Sequence, residues 1–518
     1  MTVQNRKWAG AAVTAGAFAV FLLVALHQLT HASLWVDESI EFWYSRVMSG
    51  PLPFEDTTGM VERINSTFQP PLYNFLMFFW LQVSTSQWWF RFFGVVAGLV
   101  GMAGLYQTVR RITGSIYASA ASVLFASFVF QLIYYWQECA EYCLLLASLF
   151  WALYFWISLL KEPSRKNIIG LSALSVVAVY SQYGAVFPVF IMLVTALVTV
   201  LKAREKRLTV TLVFSWAIAF VFAALPLIFF FLLPQYTRQH DGGTSEVVIR
   251  FYRDNPLLDF AGGAAAVFEW CCTPYLPKFA TAALLGLFVL LAAFSLIRGS
   301  RFMKLLVLSN LCLWIIYYAA LKLNIYAYGH FRGRYALFFL PCWLVLTAAM
   351  IHEVHGRLKN REVSGKPPLS RVWLGAVAVG CAVFCFFSWQ LALKDNWEKE
   401  DNRTAAQVWL RENPEAKDTL VYYGASAGFS YYLYNDPAYN SVSHERIHYM
   451  SWHLRGLSPE QYAEYYDGLF GKDWPKEVYI VAQHISPDLK DMIRPFLDRG
   501  YVREDLNGQN DIRLTLAE

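Results

Sequence analysis

The stretch "GAFAVFLLVALHQLTHASLWVDESIEFWYSRVMSG" (residues 16–50) joins an apolar run directly to a cluster of carboxylates. The apolar run is long enough to cross the roughly 30 Å hydrocarbon core of a bilayer. Asp37 and Glu38 follow where such a helix would emerge into water, and Glu41 lies one helical turn beyond Asp37. These carboxylates either cap a surface helix over residues 38–48, with Asp37 as its N-cap, or carry out chemistry at the membrane face.

The composition divides the chain into two parts of different character. Of its 518 residues, 57% are hydrophobic and 16% are charged, against roughly 25% charged in an average soluble domain. Residues 1–393 carry a net charge of +12, whereas residues 394–518 carry 14 Lys and Arg against 21 Asp and Glu. We therefore expect a transmembrane module with a first outer loop at 31–87, followed by a small soluble domain. The basic residues form short, scattered clusters, which argues against a nucleic acid as partner.

Eleven apolar runs predict transmembrane helices, so the expected fold class is a polytopic α-helical membrane protein. The runs occupy residues 9–30, 88–109, 117–136, 142–160, 168–185, 186–201, 208–233, 279–297, 305–323, 335–352 and 372–392. Alternate connectors are rich in Lys and Arg, and the positive-inside rule assigns those connectors to the cytoplasm. The N-terminus is then expected in the cytoplasm, and the C-terminal domain on the periplasmic, extracytoplasmic side of the inner membrane.

One further apolar stretch, "PPLYNFLMFFWLQVS" (residues 70–84), is only about 15 residues long and opens with two prolines. Counting it as a crossing would place Arg110 and Arg111 outside and would invert every later connector. We therefore predict a helix that lies on the outer face of the membrane or dips into it.

The C-terminal segment reads as an α/β domain. "TAAQVWLREN" (404–413) predicts a helix, and "DTLVYYGA" (418–425) and "EVYIVA" (477–482) predict buried strands. A second helix is expected with Ser486 as its N-cap and Gly500 just beyond its end. Asn507-Gly508 predicts a hairpin turn. The eight cysteines show neither a zinc spacing nor a disulfide framework, so we expect them to be packing residues.

Charged residues gather at the predicted outer ends of several apolar runs. A charge at the centre of a membrane helix costs about 2.5–3.5 kcal/mol on insertion scales, so such residues are candidates for function. The group comprises Asp37, Glu38, Arg91, Glu138, Glu141, Lys322, Arg332 and Arg334. Interface residues, helix caps and mutual ion pairs would account for any one of them taken alone. Together they predict a site with one or two bases and a cation cluster suited to a phosphate.

Several motifs together resemble a known family. These are "WVDES" after the first run, "FQPPLYNFLMFFWL", "WWFRFFGVVAGLVGMAGLYQTVRR", "YYWQECAEYCLLLASLFWALYFWISLL" and "RGRYALFFLP". In this order and spacing they are similar to the GT-C membrane glycosyltransferases, in particular the protein O-mannosyltransferase and lipid A aminoarabinose transferase group. The chain departs from its relatives at Gln69, where they usually read His, and at Ala140, where many read Arg.

The resemblance implies an enzyme that transfers a sugar from a polyprenyl-phosphate-linked donor to a hydroxyl acceptor on a glycan, lipid or protein. It implies that Asp37 is the general base and that the anomeric carbon is inverted. Glu38 is expected to orient the acceptor or the sugar, because neighbouring helical side chains point about 100° apart.

The donor phosphate is expected to be bound by the cations near the outer face. The resemblance supports Arg334 and Arg91 most directly, and Arg332 is a further candidate. Tyr335 is expected to stack on sugar or lipid, and Glu138 is predicted as a second carboxylate of the site. No cofactor is expected to be required, and a divalent metal held by Asp37 and Glu138 stays an open alternative.

Two other classes of function fit part of the pattern. A secondary transporter would also have many crossings and charges at membrane depth, but the first outer connector is long and no inverted half-repeat is visible. A transferase that moves a whole oligosaccharide would share most of these features. The sequence itself leaves the donor sugar and the acceptor open.

Overall fold

The computed structural model describes most of the chain. The described residues are 3–46, 52–54, 59–241, 260–272, 276–323, 325–326, 333–360, 369–393, 401–413, 417–442, 444–451, 454, 456–482, 489–506 and 511–517. The expected helix cap Ser486 and the expected turn Asn507-Gly508 lie outside these residues, as does the predicted site residue Arg332.

Most of the described chain is helical. The helices up to residue 393 are α1 (Val3–Leu26), α2 (Val36–Arg46), α3 (Met60–Ser66), α4 (Leu72–Trp80), α5 (Gln87–Thr113), α6 (Ile116–Ala126), α7 (Phe130–Gln137), α8 (Tyr142–Lys161), α9 (Arg165–Ser181), α10 (Val186–Ala203), α11 (Lys206–Ala219), α12 (Leu225–Leu227), α13 (Leu233–Asp241), α14 (Phe260–Cys272), α15 (Lys278–Arg298), α16 (Arg301–Lys322), α17 (Phe339–Lys359) and α18 (Leu369–Leu393). Two π-helical turns, Phe220–Ala224 and Ile228–Leu232, join α11, α12 and α13 into one continuous span.

Every predicted crossing coincides with a helix or with consecutive helices, and the expected fold class is confirmed. Within the described ranges, nine helices are long and apolar enough to cross a membrane, or ten if the bent pair α6 and α7 is one span. These two helices meet at an angle of 69°. The remaining run forms α9, whose 17 residues rise about 26 Å, at the short end of the lengths that cross a bilayer. The protein is an integral membrane protein.

The apolar stretch at 70–84 forms the short helix α4 after Pro70 and Pro71. Its nine residues span only about 14 Å, less than half the thickness of the bilayer core. This length agrees with the prediction that the stretch is not a crossing.

The chain forms two compact units. The first contains residues 1–27, 65–73 and 92–396, and therefore nearly all of the apolar helices. Close helix packing in this unit depends on glycine: a Cβ atom at Gly94 would lie 2.6 Å from the backbone oxygen of Trp136. Gly98 lets α5 approach the Trp136 indole and the Phe21 ring in the same way.

The second unit contains residues 28–64, 74–91 and 397–518. It has a five-stranded sheet in the order β2-β1-β3-β5-β4. The strands are β1 (Thr419–Val421), β2 (Ile447–Tyr449), β3 (Glu477–Val481), β4 (Tyr501–Asp505) and β5 (Asp511–Leu516). The helices that accompany them are α19 (Asn402–Glu412), α20 (Tyr423–Asn435), α21 (Pro459–Phe470) and α22 (Leu489–Leu497). Strand β1 is parallel to both of its neighbours, β2 and β3, whereas β5 is antiparallel to both β3 and β4.

The predicted small α/β domain is therefore present, with one correction. The strand expected over 418–425 ends at Val421, and Tyr423 already begins α20. The small residues that follow allow close packing, since a Cβ atom at Gly428 would lie 2.5 Å from the side-chain amide carbon of Asn402. Gly500 has a φ of +87°, in the left-handed region expected beyond a helix end.

Candidate functional site

The two predicted catalytic carboxylates lie in the first turn of α2. The capping alternative required Asp37 to be the N-cap of a helix over residues 38–48. Since α2 begins at Val36, Asp37 lies inside the helix and is not its N-cap. Carboxylates at this position are favoured by the positive end of the helix dipole. Asp37 is half-buried and Glu38 is fully buried. The two neighbours therefore have different environments, as the helical geometry predicted.

Glu38 forms a bidentate ion pair with Arg91 of α5. The Arg91 Nε atom donates to Glu38 Oε1 at 3.0 Å, and Nη2 donates to Oε2 at 2.8 Å. Both side chains are almost inaccessible, with 0% exposure for Glu38 and 3% for Arg91. A paired fork of this kind is the strong form of a charge-assisted hydrogen bond.

The remaining donors of Arg91 bind the connector between α1 and α2. Nη1 donates to the carbonyl oxygens of Leu29 and Ala32 at 3.0 and 2.8 Å, and Nη2 also donates to that of Ser33 at 3.1 Å. With the two bonds to Glu38, all five N–H groups of the guanidinium have protein acceptors. This arrangement favours Arg91 as a residue that positions the carboxylate-bearing segment over its predicted role as a phosphate ligand.

A third carboxylate, Glu41, is held by an asparagine that the sequence reading missed. Asn74 of α4 donates through Nδ2 to Glu41 Oε2 at 2.6 Å and to the Ser45 hydroxyl at 3.3 Å. Asn74 and Glu41 are both buried. The apolar helix "LYNFLMFFW" contains one side-chain amide, that of Asn74. This amide could have indicated the contact from the sequence, because a buried polar side chain needs hydrogen-bond partners.

In the first unit, Arg334 begins a short 3₁₀ turn, Arg334–Ala336. Its guanidinium carbon lies 5.5 Å from the centre of the Tyr335 ring, and its backbone oxygen accepts a bond from Gln182 Nε2 at 3.3 Å. The preceding residue, Gly333, has a φ of +38° and lies close against the Trp270 indole. The turn therefore gives Arg334 a defined backbone position at the start of the segment that leads into α17.

The predicted residues Arg334, Tyr335 and Glu138 meet in one neighbourhood. Glu138 and Glu141 are buried at the junction between α7 and α8, where the rings of Tyr135 and Tyr142 lie 4.7 Å apart between centres. The Tyr135 ring also lies 6.2 Å from the Trp270 indole, and Gly333, the residue before Arg334, packs against the same indole. The structure thus groups a guanidinium, two buried carboxylates and several phenols, a combination that can bind both a phosphate and sugar hydroxyls.

Gln235 of α13 forms hydrogen bonds that hold Gln69, the residue before Pro70 and Pro71. The buried Gln235 donates through Nε2 to the Gln69 carbonyl oxygen at 2.7 Å and accepts a bond from the Tyr183 hydroxyl at 2.9 Å. Gln235 follows the two π-helical turns, which are often found at functional sites. It was not predicted, although a glutamine within a long apolar span is a recognisable signal.

Within the described parts of the chain, no group of three or more His, Cys, Asp or Glu side chains is arranged to hold a metal ion. The eight cysteines are all free thiols.

Comparison with known proteins gives a consistent classification. Residues 68–230 match the sequence profile of the family described as dolichyl-phosphate-mannose-protein mannosyltransferase. A comparison with curated protein sequences gave no match. The profile covers less than a third of the chain.

Among solved structures, the chain is similar to ArnT from Cupriavidus metallidurans bound to undecaprenyl phosphate. The identity is 14%, the TM-score is 0.59, and the match covers 98% of each chain. The archaeal oligosaccharyltransferase AglB from Archaeoglobus fulgidus, in complex with an inhibitory peptide and a dolichol-phosphate, gives a TM-score of 0.51 at 10% identity. That match covers 99% of this chain and 75% of AglB. The resemblance to GT-C membrane glycosyltransferases is confirmed: the chain has their fold.

Proposed function

We propose that the protein transfers a sugar from a polyprenyl-phosphate-linked donor to a hydroxyl acceptor at the outer face of the cytoplasmic membrane. The observation that carries the proposal is the whole-length likeness to ArnT with undecaprenyl phosphate bound. The family match over residues 68–230 supports glycosyl transfer and favours an enzyme over a secondary transporter. The donor sugar is a hexose or a pentose, and the acceptor belongs to a glycan, a lipid or a protein.

In the proposed reaction the acceptor hydroxyl oxygen attacks the anomeric carbon from the face opposite the phosphate. The bond between that carbon and the phosphate oxygen breaks, and the electron pair leaves with the polyprenyl phosphate. Asp37 accepts the hydroxyl proton as general base, a role that typically contributes about 10²–10⁴-fold to the rate. Its partial exposure supports this role, since the buried and ion-paired Glu38 is less accessible to an acceptor.

Arg334 binds the donor phosphate and stabilises the charge that grows on it as the bond breaks. Tyr335 lies beside this guanidinium and provides a ring for sugar or lipid. Glu138 contributes a second carboxylate that can accept hydrogen bonds from sugar hydroxyls. Arg332 is retained as a further phosphate ligand. Glu38 and Arg91 act in this proposal by fixing the start of α2.

Transfer of a whole oligosaccharide is the second candidate. The likeness to the oligosaccharyltransferase AglB supports it, because both chains share the fold over 99% of this protein. The two candidates differ only in what the lipid phosphate carries.

The proposal can be tested with purified protein in lipid nanodiscs and a panel of undecaprenyl-phosphate-linked hexoses, pentoses and oligosaccharides. We expect release of undecaprenyl phosphate from one class of donor when acceptor-containing membrane extract is added. Glu62→Gln, at an exposed carboxylate of α3, serves as a matched control and should keep this activity. Uptake of a soluble substrate into proteoliposomes, with no donor consumed from the whole panel, would instead identify a transporter.

A further inference from the structure

The connector between α1 and α2, residues 27–35, has no regular secondary structure yet is densely hydrogen bonded. Arg91 binds three of its carbonyl oxygens from one side. Further bonds come from Gln87 of α5, which donates to the Ala32 carbonyl oxygen at 2.7 Å, and from the C-terminal domain, more than 360 residues further along the chain. The residues that make these bonds belong to the same compact unit. The backbone that leads into α2 and Asp37 is thus hydrogen bonded mainly by side chains, whereas in a helix or a sheet the partners would be other backbone groups.

Arg403 of α19 makes most of these bonds. Its Nη2 atom donates to the Thr30 carbonyl oxygen at 2.8 Å and to Gln87 Oε1 at 2.8 Å. Its backbone N–H donates to the Ser33 hydroxyl at 3.1 Å. The guanidinium also lies 5.6 Å from the centre of the Tyr432 ring, within the range of a cation–π interaction.

Asn402 and Tyr432 bind the next residue of the connector, Leu34. Asn402 Nδ2 donates to the Leu34 carbonyl oxygen at 3.1 Å, and the Leu34 N–H donates to the Tyr432 hydroxyl at 2.8 Å. That hydroxyl donates in turn to Gln87 Oε1 at 2.9 Å. Both backbone polar groups of Leu34, a residue three positions before Asp37, are therefore satisfied by the C-terminal domain.

We propose that Asn402, Arg403 and Tyr432 are positioning residues that set the geometry of Asp37, and that the C-terminal domain is for this reason part of the catalytic machinery. The inference rests on the proposed function for the role of Asp37 as base. A misplacement of about 1 Å at a reacting group can cost roughly 10²-fold in rate. The contacts to residues 30–34 fix the backbone that leads into the first turn of α2.

Asn402 and the helix α2 both pack closely against α20. Asn402 is fully buried and lies against Gly428 of α20, so a side chain at position 428 would displace it. Trp43 of α2 donates to the Ala427 carbonyl oxygen at 3.0 Å, and the Phe42 ring packs edge-on against Tyr431 at 4.7 Å between centres. The helix that bears Asp37 is thus attached to α20 along its own length as well as through the connector.

The test compares Tyr432→Phe and Arg403→Ala with two control variants, Tyr434→Phe and Arg411→Ala, which alter exposed residues of the same helices. Hydrogen–deuterium exchange of full-length protein in nanodiscs should rise over residues 29–36 by about 2- to 10-fold in Tyr432→Phe, the effect of losing one hydrogen bond. The rise should be larger in Arg403→Ala, partly rescued in Arg403→Lys, and absent from both controls.

Turnover is measured in the same samples as release of undecaprenyl phosphate from the donor that the wild-type protein uses. We expect kcat to fall about tenfold or more in Arg403→Ala, while affinity for undecaprenyl phosphate stays at the wild-type value. Wild-type exchange over 29–36 in both variants would overturn the inference, as would raised exchange with unchanged kcat. Equal losses of kcat and lipid affinity would indicate general destabilisation and would also overturn it. Near-normal turnover in Asp37→Asn would reject Asp37 as the base while leaving the exchange result intact, so the two failures are distinguishable.

Discussion

Arg91 and Arg334 looked alike in the sequence, yet their surroundings differ. All five N–H groups of Arg91 bind Glu38 or backbone carbonyl oxygens, and the pair is buried. Arg334 instead begins a short turn beside Tyr335 and shares its neighbourhood with two carboxylates and buried phenols. The difference teaches that two arginines with similar places at the ends of apolar runs can have different surroundings, one in a buried bidentate ion pair and the other in a turn beside an aromatic ring.

The largest effect on stability is expected from breaking the buried pair. Arg91→Ala leaves the Glu38 carboxylate buried without its partner, which costs about 3–5 kcal/mol. We expect a marked fall in the thermal unfolding temperature of detergent-purified protein, whereas Arg411→Ala, at an exposed arginine, should be nearly neutral. An Arg91→Ala protein as stable as the wild type would remove the distinction between the two arginines.

The next effect concerns ligand binding and should leave stability unchanged. Arg334→Lys keeps the charge but loses the bidentate geometry of the guanidinium. Affinity for undecaprenyl phosphate in nanodiscs should fall by about tenfold or more, because one lost charge-assisted bond is worth roughly 1.5–3 kcal/mol. Arg334→Ala should bind the lipid phosphate more weakly still, and Arg298→Lys, at the last residue of α15, is the matched control. Equal affinities in wild type, Arg334→Lys and Arg334→Ala would reject the phosphate role.

A smaller effect on stability is expected from breaking the contact between Asn74 and Glu41. Asn74→Ala removes the donor to Glu41 and to the Ser45 hydroxyl inside a buried contact. The expected loss is about 1–3 kcal/mol, the cost of an unsatisfied buried group, measured by chemical unfolding. Asn65→Ala removes an exposed hydrogen bond from the side-chain amide to the Phe230 carbonyl oxygen, and the loss in free energy of unfolding should be smaller. A loss at Asn65 equal to that at Asn74 would argue that burial of the Glu41 contact is unimportant.

Much of the fold followed from the sequence because membrane crossing imposes a simple rule on it. Each run of about twenty apolar residues became a helix or a series of consecutive helices, and the least regular of them are the 17-residue α9 and the bent pair α6 and α7. In the C-terminal domain, β3 was also predicted. The early end of β1 was not, because "YYGA" suits a buried strand as well as the packed helix that it forms.

The candidate site was only partly predictable. The position of Asp37 and Glu38 after the first span was visible in the sequence, and so was the accumulation of cations near the outer face. The acceptors of each arginine were not, since the carbonyl oxygens that bind Arg91 and Arg403 carry no side-chain signal. Asn402 and Tyr432 lie far from Asp37 in sequence, and only the folded backbone brings them to the connector.

The central claim, that Asp37 is the general base of a glycosyl transfer, is tested most directly by Asp37→Asn. The variant should fold normally and bind undecaprenyl phosphate with wild-type affinity, since the isosteric amide keeps the first turn of α2 intact. Its turnover, measured as release of undecaprenyl phosphate from the active donor, should fall by about 10²–10⁴-fold. Near-normal turnover in a correctly folded Asp37→Asn protein would contradict the account.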